Sequence, residues 1–180
     1  MVNTLDQSHP YNDLKPETVI DAVESLGILS DARIFPLNSY ENRVYQVGVE
    51  EDTPIIAKFY RPYRWSEQAI MEEHQFSWEL FDHELPVVPP IKGENGKTLH
   101  EYNGFQFSIF KRQGGHAPEL DNLDSLFLIG RYLGRMHAIG AQTSFQHRPT
   151  ITVDEWAVSS REFLLSHDFI PRELKIAYET

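Results

Sequence analysis

The stretch that decides the fold is Ile55-Ile56-Ala57-Lys58-Phe59-Tyr60, which precedes Glu72-Glu73-His74-Gln75-Phe76. The first segment is typical of a β-strand because β-branched and aromatic residues predominate. Strand alternation places Lys58 on the same face as Ile56 and Tyr60, where an ammonium group is costly unless an anion receives it. A phosphate group would be a suitable anion. The alternative is a strand lysine that extends to water.

The second segment belongs to a predicted helix that has Ser66 as its N-cap and ends near Phe81. Glu72 and Glu73 each lie within one turn of apolar positions, where an unpaired carboxylate is unfavourable. One of them is therefore expected to pair with Lys58. Glu73 is the preferred partner and Glu72 stays open, while a solvated acidic turn is the alternative for both.

Short β-rich runs surround this lysine strand, and turn residues separate them. Asn95-Gly96 and Asn103-Gly104 favour the tight turns that join antiparallel strands. A preceding helix begins at Pro16 and is capped by Gly27. The predicted strands are Ile34–Leu37, Val44–Val49, Ile55–Tyr60, Val87–Ile91, Thr98–Tyr102 and Phe105–Phe110.

The second half of the chain is predicted to be helical. Asn122–Ile139 has the spacing of a helix whose apolar face carries His137, which is interpreted as a core histidine. The other members of that face are Leu126, Gly130 and Leu133. Further helices are predicted over Asp154–Leu165 and from Pro171 onward. The fold class is α+β, with a small lobe over residues 1–112 and the start of a helical lobe over residues 113–180.

Composition excludes several classes of function. With 16 basic and 27 acidic residues, the net charge is -11, which disfavours nucleic acid and anionic membranes as partners. The absence of cysteine excludes disulfides and thiolate chemistry. Met1–Leu14 lacks the apolar core of a secretory signal, and no stretch approaches a membrane span. These features predict a cytoplasmic protein that does not enter the membrane.

The loop Asn38–Asn42 lies between the first two strands, where backbone amides and the Ser39 hydroxyl could cover phosphate groups. It contains no glycine, so as a phosphate-loop motif it is incomplete. A polar hairpin turn with asparagine in a left-handed conformation explains the same residues.

Five segments together resemble a known family. They are LNSYENRVY at residues 37–45, KFYRP at 58–62, EEHQF at 72–76, GRYLGRMH at 130–137 and HRPTI at 147–151. These five segments together are similar to the bacterial stress response kinase A family. Members of this family are protein kinases with a protein-kinase-like fold of the aminoglycoside-phosphotransferase type. The resemblance extends over nearly the whole chain. It implies ATP- and Mg²⁺-dependent phosphorylation of serine or threonine in protein substrates, a cytoplasmic location, a role in stress and a monomeric parent enzyme.

The resemblance also implies roles for individual residues of a nucleotide-binding lobe. Lys58 would meet the α- and β-phosphates of ATP, and Glu73 would orient Lys58. The nucleotide cover would consist of Ser39, Tyr40, Glu41 and Asn42. The backbone of Phe110, Lys111 and Arg112 would meet the adenine edge, between apolar walls formed by Val44, Ala57 and Ile109, for which ordinary core packing is the alternative.

In this family the catalytic loop and the metal-binding aspartate follow the helix that Pro171 opens here. His147-Arg148-Pro149 and Asp168-Phe169-Ile170 only imitate kinase motifs, because proline has no carboxylate and Ile170 lacks the backbone freedom of glycine. No catalytic or metal-binding residue is therefore assigned in these 180 residues. The expectation is an N-terminal piece of a kinase with weak ATP binding and no turnover. The alternatives are a non-catalytic half-kinase that binds nucleotide or a partner, and a kinase for aminoglycosides, choline or homoserine.

Overall fold

The computed structural model describes residues 10–179 and contains one antiparallel sheet with helices packed against it. The five strands follow the order β1-β2-β3-β5-β4, so the predicted α+β class is confirmed. Met1–Leu14 was predicted not to be a secretory signal. Residues 1–9 of this segment lie outside the described residues. The strands are β1 (Ser30–Leu37), β2 (Arg43–Val49), β3 (Ile55–Phe59), β4 (His100–Tyr102) and β5 (Phe105–Lys111).

The helices are α1 (Pro16–Glu24), α2 (Glu67–Asp82), α3 (Leu123–Gly140), α4 (Ser159–Ser166) and α5 (Arg172–Glu179), with a π-helical turn at Asp154–Val158 directly before α4. The predicted starts of α1 and α2 are confirmed. Pro16 opens α1, and the Ser66 hydroxyl accepts a hydrogen bond from the backbone N–H of Ala69 at 3.1 Å. No helix within residues 10–179 combines the length and apolarity needed to cross a bilayer.

The two faces of the sheet have different partners. Residues that pair directly across antiparallel strands lie on the same face. Ala57, Val47 and Phe107 face the core that Val19 and Val23 of α1 complete, and all five are fully or almost fully buried. The opposite face carries Lys58 and is covered by α2. The sheet is therefore a central layer between α1 and α2, and Lys58 lies on the α2 side.

The predicted strand Val87–Ile91 is not formed. This segment makes a single bridge, between Pro90 and Phe110, together with a hydrogen bond from the Ile91 N–H to the Ile109 carbonyl at 2.8 Å. Pro89 and Pro90 have no N–H to donate, so they cannot continue a ladder. The sheet consequently has five strands rather than the predicted six.

Strand β1 begins earlier than predicted, at Ser30 rather than Ile34, and its register against β2 shifts between these two residues. Ala32 has a positive φ of 64° within this irregularity. The Asp31 carboxylate lies where a Cβ on Gly48 would be, so a larger residue at that point of β2 would require the Asp31 side chain to move. Short-range sequence patterns missed this part of the strand because the bulge interrupts the alternation.

The helix predicted over Asn122–Ile139 is present as α3, capped by the Asn122 side chain, but a different face is buried. Ile139 is buried and Met136 packs beside it, whereas His137 is exposed. The interpretation of His137 as a core histidine is therefore wrong. The other predicted face residues, Leu126, Gly130 and Leu133, are exposed as well.

The chain forms two compact units, of which the first ends at His147 and the second begins at Arg148. Within the described residues, the first contains the sheet and α1 to α3, and the second contains the π-helical turn, α4 and α5. The predicted boundary between a nucleotide-binding lobe, residues 1–112, and a helical lobe, residues 113–180, is a different division of the chain. It stays a prediction.

Candidate functional site

The site is built around Lys58, near the end of β3. Cross-strand pairing places Lys58 opposite Val44 of β2 and Ser108 of β5, so all three side chains share the face that α2 covers. The Lys58 side chain is 21% exposed. Its ammonium group lies 4.7 Å from the centroid of the Tyr60 ring, two residues along the same face. The lysine is thus held against the sheet rather than extended into water.

Glu73 of α2 meets this lysine. Lys58 Nζ donates to Glu73 Oε1 at 2.7 Å, and the glutamate side chain is 35% exposed. The predicted pairing of Lys58 with Glu73 is confirmed. The reason is that an ammonium group on this face of the strand is unfavourable unless an anion pairs with it. A charge-assisted bond of this kind fixes the position of the ammonium group while leaving its other two hydrogens available as donors.

Glu72, the alternative left open by the sequence, has a different partner. Its two carboxylate oxygens accept hydrogen bonds from the backbone N–H groups of Gln146 and His147, at 2.5 and 2.8 Å. Adjacent helix positions are separated by about 100° around the axis, so Glu72 and Glu73 point to different sides of α2. The two neighbouring acids therefore have separate structural tasks.

A buried polar network lies beside the ion pair, and no sequence pattern indicates it. His74 is 2% exposed; its Nε2 lies 2.7 Å from the Tyr60 hydroxyl and its Nδ1 lies 2.8 Å from the Thr98 hydroxyl. Ser108 Oγ is 3.4 Å from the same Nε2. This network joins α2 to Tyr60 directly after β3, to Thr98 just before β4 and to Ser108 of β5. Because each polar atom of the network has a partner, the network contributes to holding α2 on the sheet.

The β1–β2 loop, predicted to cover a nucleotide, is held by its own side chains. Glu41 Oε1 accepts from Trp65 Nε1 at 2.7 Å and Glu41 Oε2 accepts from Arg64 Nε at 3.0 Å. Asn42 Oδ1 accepts from the Arg61 N–H at 3.3 Å. Tyr40 is fully exposed and Ser39 is half-buried. Glu41 and Asn42 thus fasten the loop to residues 61–65, and contact of the loop with ATP stays a prediction.

Tyr11 fastens the same loop from the other side of the sheet. Its hydroxyl donates to the Glu41 carbonyl at 3.0 Å and lies 3.3 Å from the Phe59 carbonyl. Burial raises the pKa of Tyr11 to about 12, although the nearby Arg43 acts in the opposite direction. Burial would raise the pKa of the Glu41 carboxyl too, but hydrogen bonds from Trp65 and Arg64 outweigh it and hold this pKa below its usual value.

The predicted apolar walls require a correction. Val44 shares the Lys58 face, but Ala57 and Ile109 are directly paired with each other on the opposite face and belong to the core around α1. Their side chains are 0% and 2% exposed, so they cannot line a pocket on the Lys58 side. Ile56 and Phe110 pair with each other on the Lys58 face.

The residues predicted to meet adenine lie at the end of β5 and just beyond it. Phe110 and Lys111 still pair with β3, whereas Arg112 follows the strand and its Nε donates to Gln46 Oε1 at 2.8 Å. Gln46 pairs with Ile56, which places it on the Lys58 face. The structure therefore locates these residues at the edge of the candidate site, and their contact with adenine stays a prediction.

The two implied cofactors fit these residues unequally. Lys58, oriented by Glu73, is suited to the phosphate groups of ATP. In contrast, residues 10–179 contain no group of three or more His, Asp or Glu side chains placed to hold a metal ion. Mg²⁺ requires carboxylate oxygen ligands beside the phosphates. The described residues therefore offer a candidate phosphate contact, and among them no cluster of three or more metal-ligating side chains accompanies it.

Comparison with known proteins defines the class. Residues 33–170 match the model of the phosphotransferase enzyme family, designated APH, and the chain belongs to this family. It is 45% identical to stress response kinase A of Shigella flexneri over 168 residues, which are 93% of this chain and 51% of that protein. It is 42% identical to the serine/threonine protein kinase RdoA of Salmonella typhimurium over 173 residues, 96% of this chain and 52% of that protein. The chain thus spans about half the length of these relatives.

Solved structures share the fold at low sequence identity. An amicoumacin kinase in complex with AMP-PNP, Ca²⁺ and Ami superposes with a TM-score of 0.60 at 21% identity, covering 82% of this chain and 52% of that one. A spectinomycin phosphotransferase in complex with ADP and spectinomycin gives a TM-score of 0.55 at 16% identity, over 84% of this chain and 46% of that one. Both confirm the predicted kinase-like fold.

Proposed function

We propose that this chain forms the ATP-binding part of a kinase that phosphorylates serine or threonine residues of proteins during stress. The ion pair between Lys58 and Glu73, 2.7 Å apart between β3 and α2, carries the proposal. Membership of the phosphotransferase family and the names of the relatives support the chemistry and the stress role. A cytoplasmic location and a monomeric parent enzyme belong to the same proposal.

Lys58 has the task of binding phosphate. Its ammonium group donates one hydrogen to Glu73 and can donate the others to phosphate oxygens. Glu73 holds Lys58 in place, and the Tyr60 ring limits its movement on the other side. Because the Lys58 side chain is 21% exposed, a phosphate group can reach it from solvent. The lysine itself has already lost part of its hydration in the folded chain.

Phosphate transfer requires more than this lysine. Mg²⁺, when bound, compensates the charge of the transferred phosphate and polarises its bonds. Since the described residues offer no cluster of metal ligands, we propose that the 180-residue chain binds ATP weakly and does not turn it over by itself. Its own contribution is to bind and orient the nucleotide.

The class of acceptor is the part of the proposal with a competing candidate. The similar solved structures include kinases named for amicoumacin, aminopropanol and spectinomycin, which are small molecules. The relatives with the higher identity are named for stress response, and one is named a serine/threonine protein kinase. We favour a protein acceptor because identity of 42% to 45% is a better guide than a shared fold.

The test is calorimetric titration of the purified chain with ATP, with and without Mg²⁺. Lys58→Ala should weaken ATP binding about tenfold to a hundredfold, because a charge-assisted hydrogen bond to phosphate is lost. Lys97→Ala, which removes the same charge from an exposed position, should leave the affinity within about twofold. Equal binding by the wild type and the Lys58→Ala variant would refute the proposed role of this lysine.

A further inference from the structure

Residues 141–147, which follow α3 and which we call the strap, are attached to the outer side of α2. Glu72 accepts one hydrogen bond from the N–H of Gln146 and one from the N–H of His147. Both bonds involve a carboxylate and are short, at 2.5 and 2.8 Å, so they belong to the stronger class of hydrogen bonds. The strap is therefore attached to the residue directly before Glu73.

Apolar contacts support the same attachment. The ring of Phe145 in the strap packs edge-on against Phe76 of α2, with 5.5 Å between the centroids. Gly140, at the end of α3, lies so near Phe76 that an added Cβ would be 3.4 Å from the ring. Ile139 packs in a cluster with Leu80 of α2. The strap and the end of α3 thus contact α2 along about two turns.

The position of Glu72 beside Glu73 gives the strap an effect on Lys58. The two residues move together because an α-helix is stiff over adjacent positions. At a side-chain radius of about 5.5 Å, a rotation of α2 by about 20° moves a carboxylate by about 2 Å, which is enough to break a hydrogen bond. A rotation that separates Glu73 from Lys58 would consequently also separate Glu72 from the strap.

We propose that Glu72 is a positioning residue: through its two bonds to the strap, it holds α2 in the orientation in which Glu73 meets Lys58. The strap is then the element through which the candidate nucleotide site is controlled, since releasing it releases the ion pair. The link to nucleotide binding rests on the proposed function of Lys58. The link between Glu72 and the ion pair rests on the geometry alone.

Reactivity of the Lys58 amine measures this link without nucleotide. The folded chain is treated briefly with acetic anhydride, and acetylation of Lys58 relative to the exposed Lys97 is measured by mass spectrometry. Glu73→Ala removes the partner directly and sets the upper limit of the response. Glu72→Ala should raise Lys58 labelling by at least about threefold, because the released amine leaves its carboxylate partner and becomes accessible. Glu72→Gln, which keeps one acceptor oxygen, should lie between wild type and Glu72→Ala.

Glu79→Ala is the matched control, since residue 79 lies two turns along on the same side of α2 and the charge change is the same. Its Lys58 labelling should equal that of the wild type. If Glu73→Ala raises labelling while Glu72→Ala leaves it unchanged in a folded chain, Glu72 has only a structural role and the proposal is wrong. Should Glu72→Ala not fold, Phe145→Ala weakens the strap from its apolar side, and unchanged Lys58 labelling there would be equally decisive.

Titration with ATP keeps the two proposals separate. Loss of ATP affinity in Glu72→Ala together with increased Lys58 labelling supports both the strap and the nucleotide site. If the wild-type chain binds no ATP while Glu72→Ala still raises Lys58 labelling, the strap proposal stands for the ion pair and the proposed ATP contact of this chain fails.

Discussion

The two compact units of this chain differ in what stabilises them. Within residues 10–147 the sheet, α1 and α2 bury large side chains such as Phe59, Phe107 and Ile70 completely. In contrast, none of residues 148–179 is buried, and Trp156, Phe163 and Ile176 are each more than half exposed. Both units have well-defined helices. The first unit therefore has a core built from distant parts of the chain, whereas the short helices of the second unit have little burial to stabilise them.

The contrast has a chemical counterpart. The candidate phosphate contact, Lys58 with Glu73, lies in the unit that has a core, and its parts come from separate elements. The motif that imitates a kinase metal site, Asp168-Phe169-Ile170, lies in the unit without buried residues, where Asp168 has a positive φ of 55° in the turn after α4. A site needs rigid support for its side chains, and only the first unit provides it.

Removing a ring from each unit tests this comparison most strongly. Phe107→Ala should lower the free energy of unfolding by about 3–5 kcal/mol, because it leaves a cavity where the Phe59 and Phe107 rings stack 5.2 Å apart. Phe163→Ala, at a 52% exposed position, should change it by less than about 0.5 kcal/mol. Urea denaturation followed by circular dichroism measures both. Similar losses in the two variants would contradict the difference between the units.

Hydrogen exchange of backbone amides should show that the first unit is more stable than the second in the unmodified chain. Amides of β3 and α2 are expected to exchange at least about a hundredfold more slowly than those of α4 and α5, which corresponds to about 3 kcal/mol. Mass spectrometry of peptides from the two units provides the comparison. Equal protection would mean that the second unit unfolds only together with the first.

The histidines His74 and His167 offer a comparison of buried and exposed polar groups. His74→Ala should cost about 2 kcal/mol, because the buried hydroxyls of Tyr60 and Thr98 lose their partner. His167→Ala removes only exposed contacts and should cost less than about 0.5 kcal/mol. The midpoints of urea unfolding measure this difference. A similar midpoint in both variants would show that the His74 network does not hold α2 on the sheet.

The smallest expected effect concerns tyrosines and pH. Tyr11→Phe should cost about 1 kcal/mol at neutral pH, since its hydrogen bonds to the loop are lost. The pKa of Tyr11 is raised from 10 to about 12, so its stabilisation is complete below pH 10 and disappears as the pH rises through about 12. Stability should therefore fall less steeply between pH 10 and 12 in Tyr11→Phe than in the wild type.

Tyr178→Phe is the control for this experiment, because Tyr178 is 39% exposed in α5 of the second unit. It should retain the pH dependence of the wild type. Chemical denaturation at a series of alkaline pH values measures all three proteins. An identical slope in Tyr11→Phe and Tyr178→Phe would show that burial does not raise the pKa of Tyr11.

Much of this molecule followed from local sequence. Pro16, Ser66 and Asn122 mark helix starts because capping depends on neighbouring residues alone. Alternation along β3 places Lys58 beside Ile56 and Tyr60. The same alternation places Ala57 on the opposite face from Lys58, in the core around α1, and so contradicts the pocket-wall role that the resemblance implies. The choice of a carboxylate partner for Lys58 was correct because an unpaired ammonium on an apolar face is unfavourable.

The tertiary structure decided whatever depends on residues distant in sequence. Glu72 and Glu73 are equivalent in a local pattern. They are distinguished by Lys58 of β3, which binds Glu73, and by the strap residues Gln146 and His147, more than 70 residues away, which bind Glu72. The buried face of α3 was predicted wrongly because a helix with apolar residues on several sides does not specify which side meets α2. Local sequence thus determined most of the helices and strands and which residue types need partners. Packing between distant elements determined the partners, because burial and hydrogen-bond satisfaction are properties of the assembled chain.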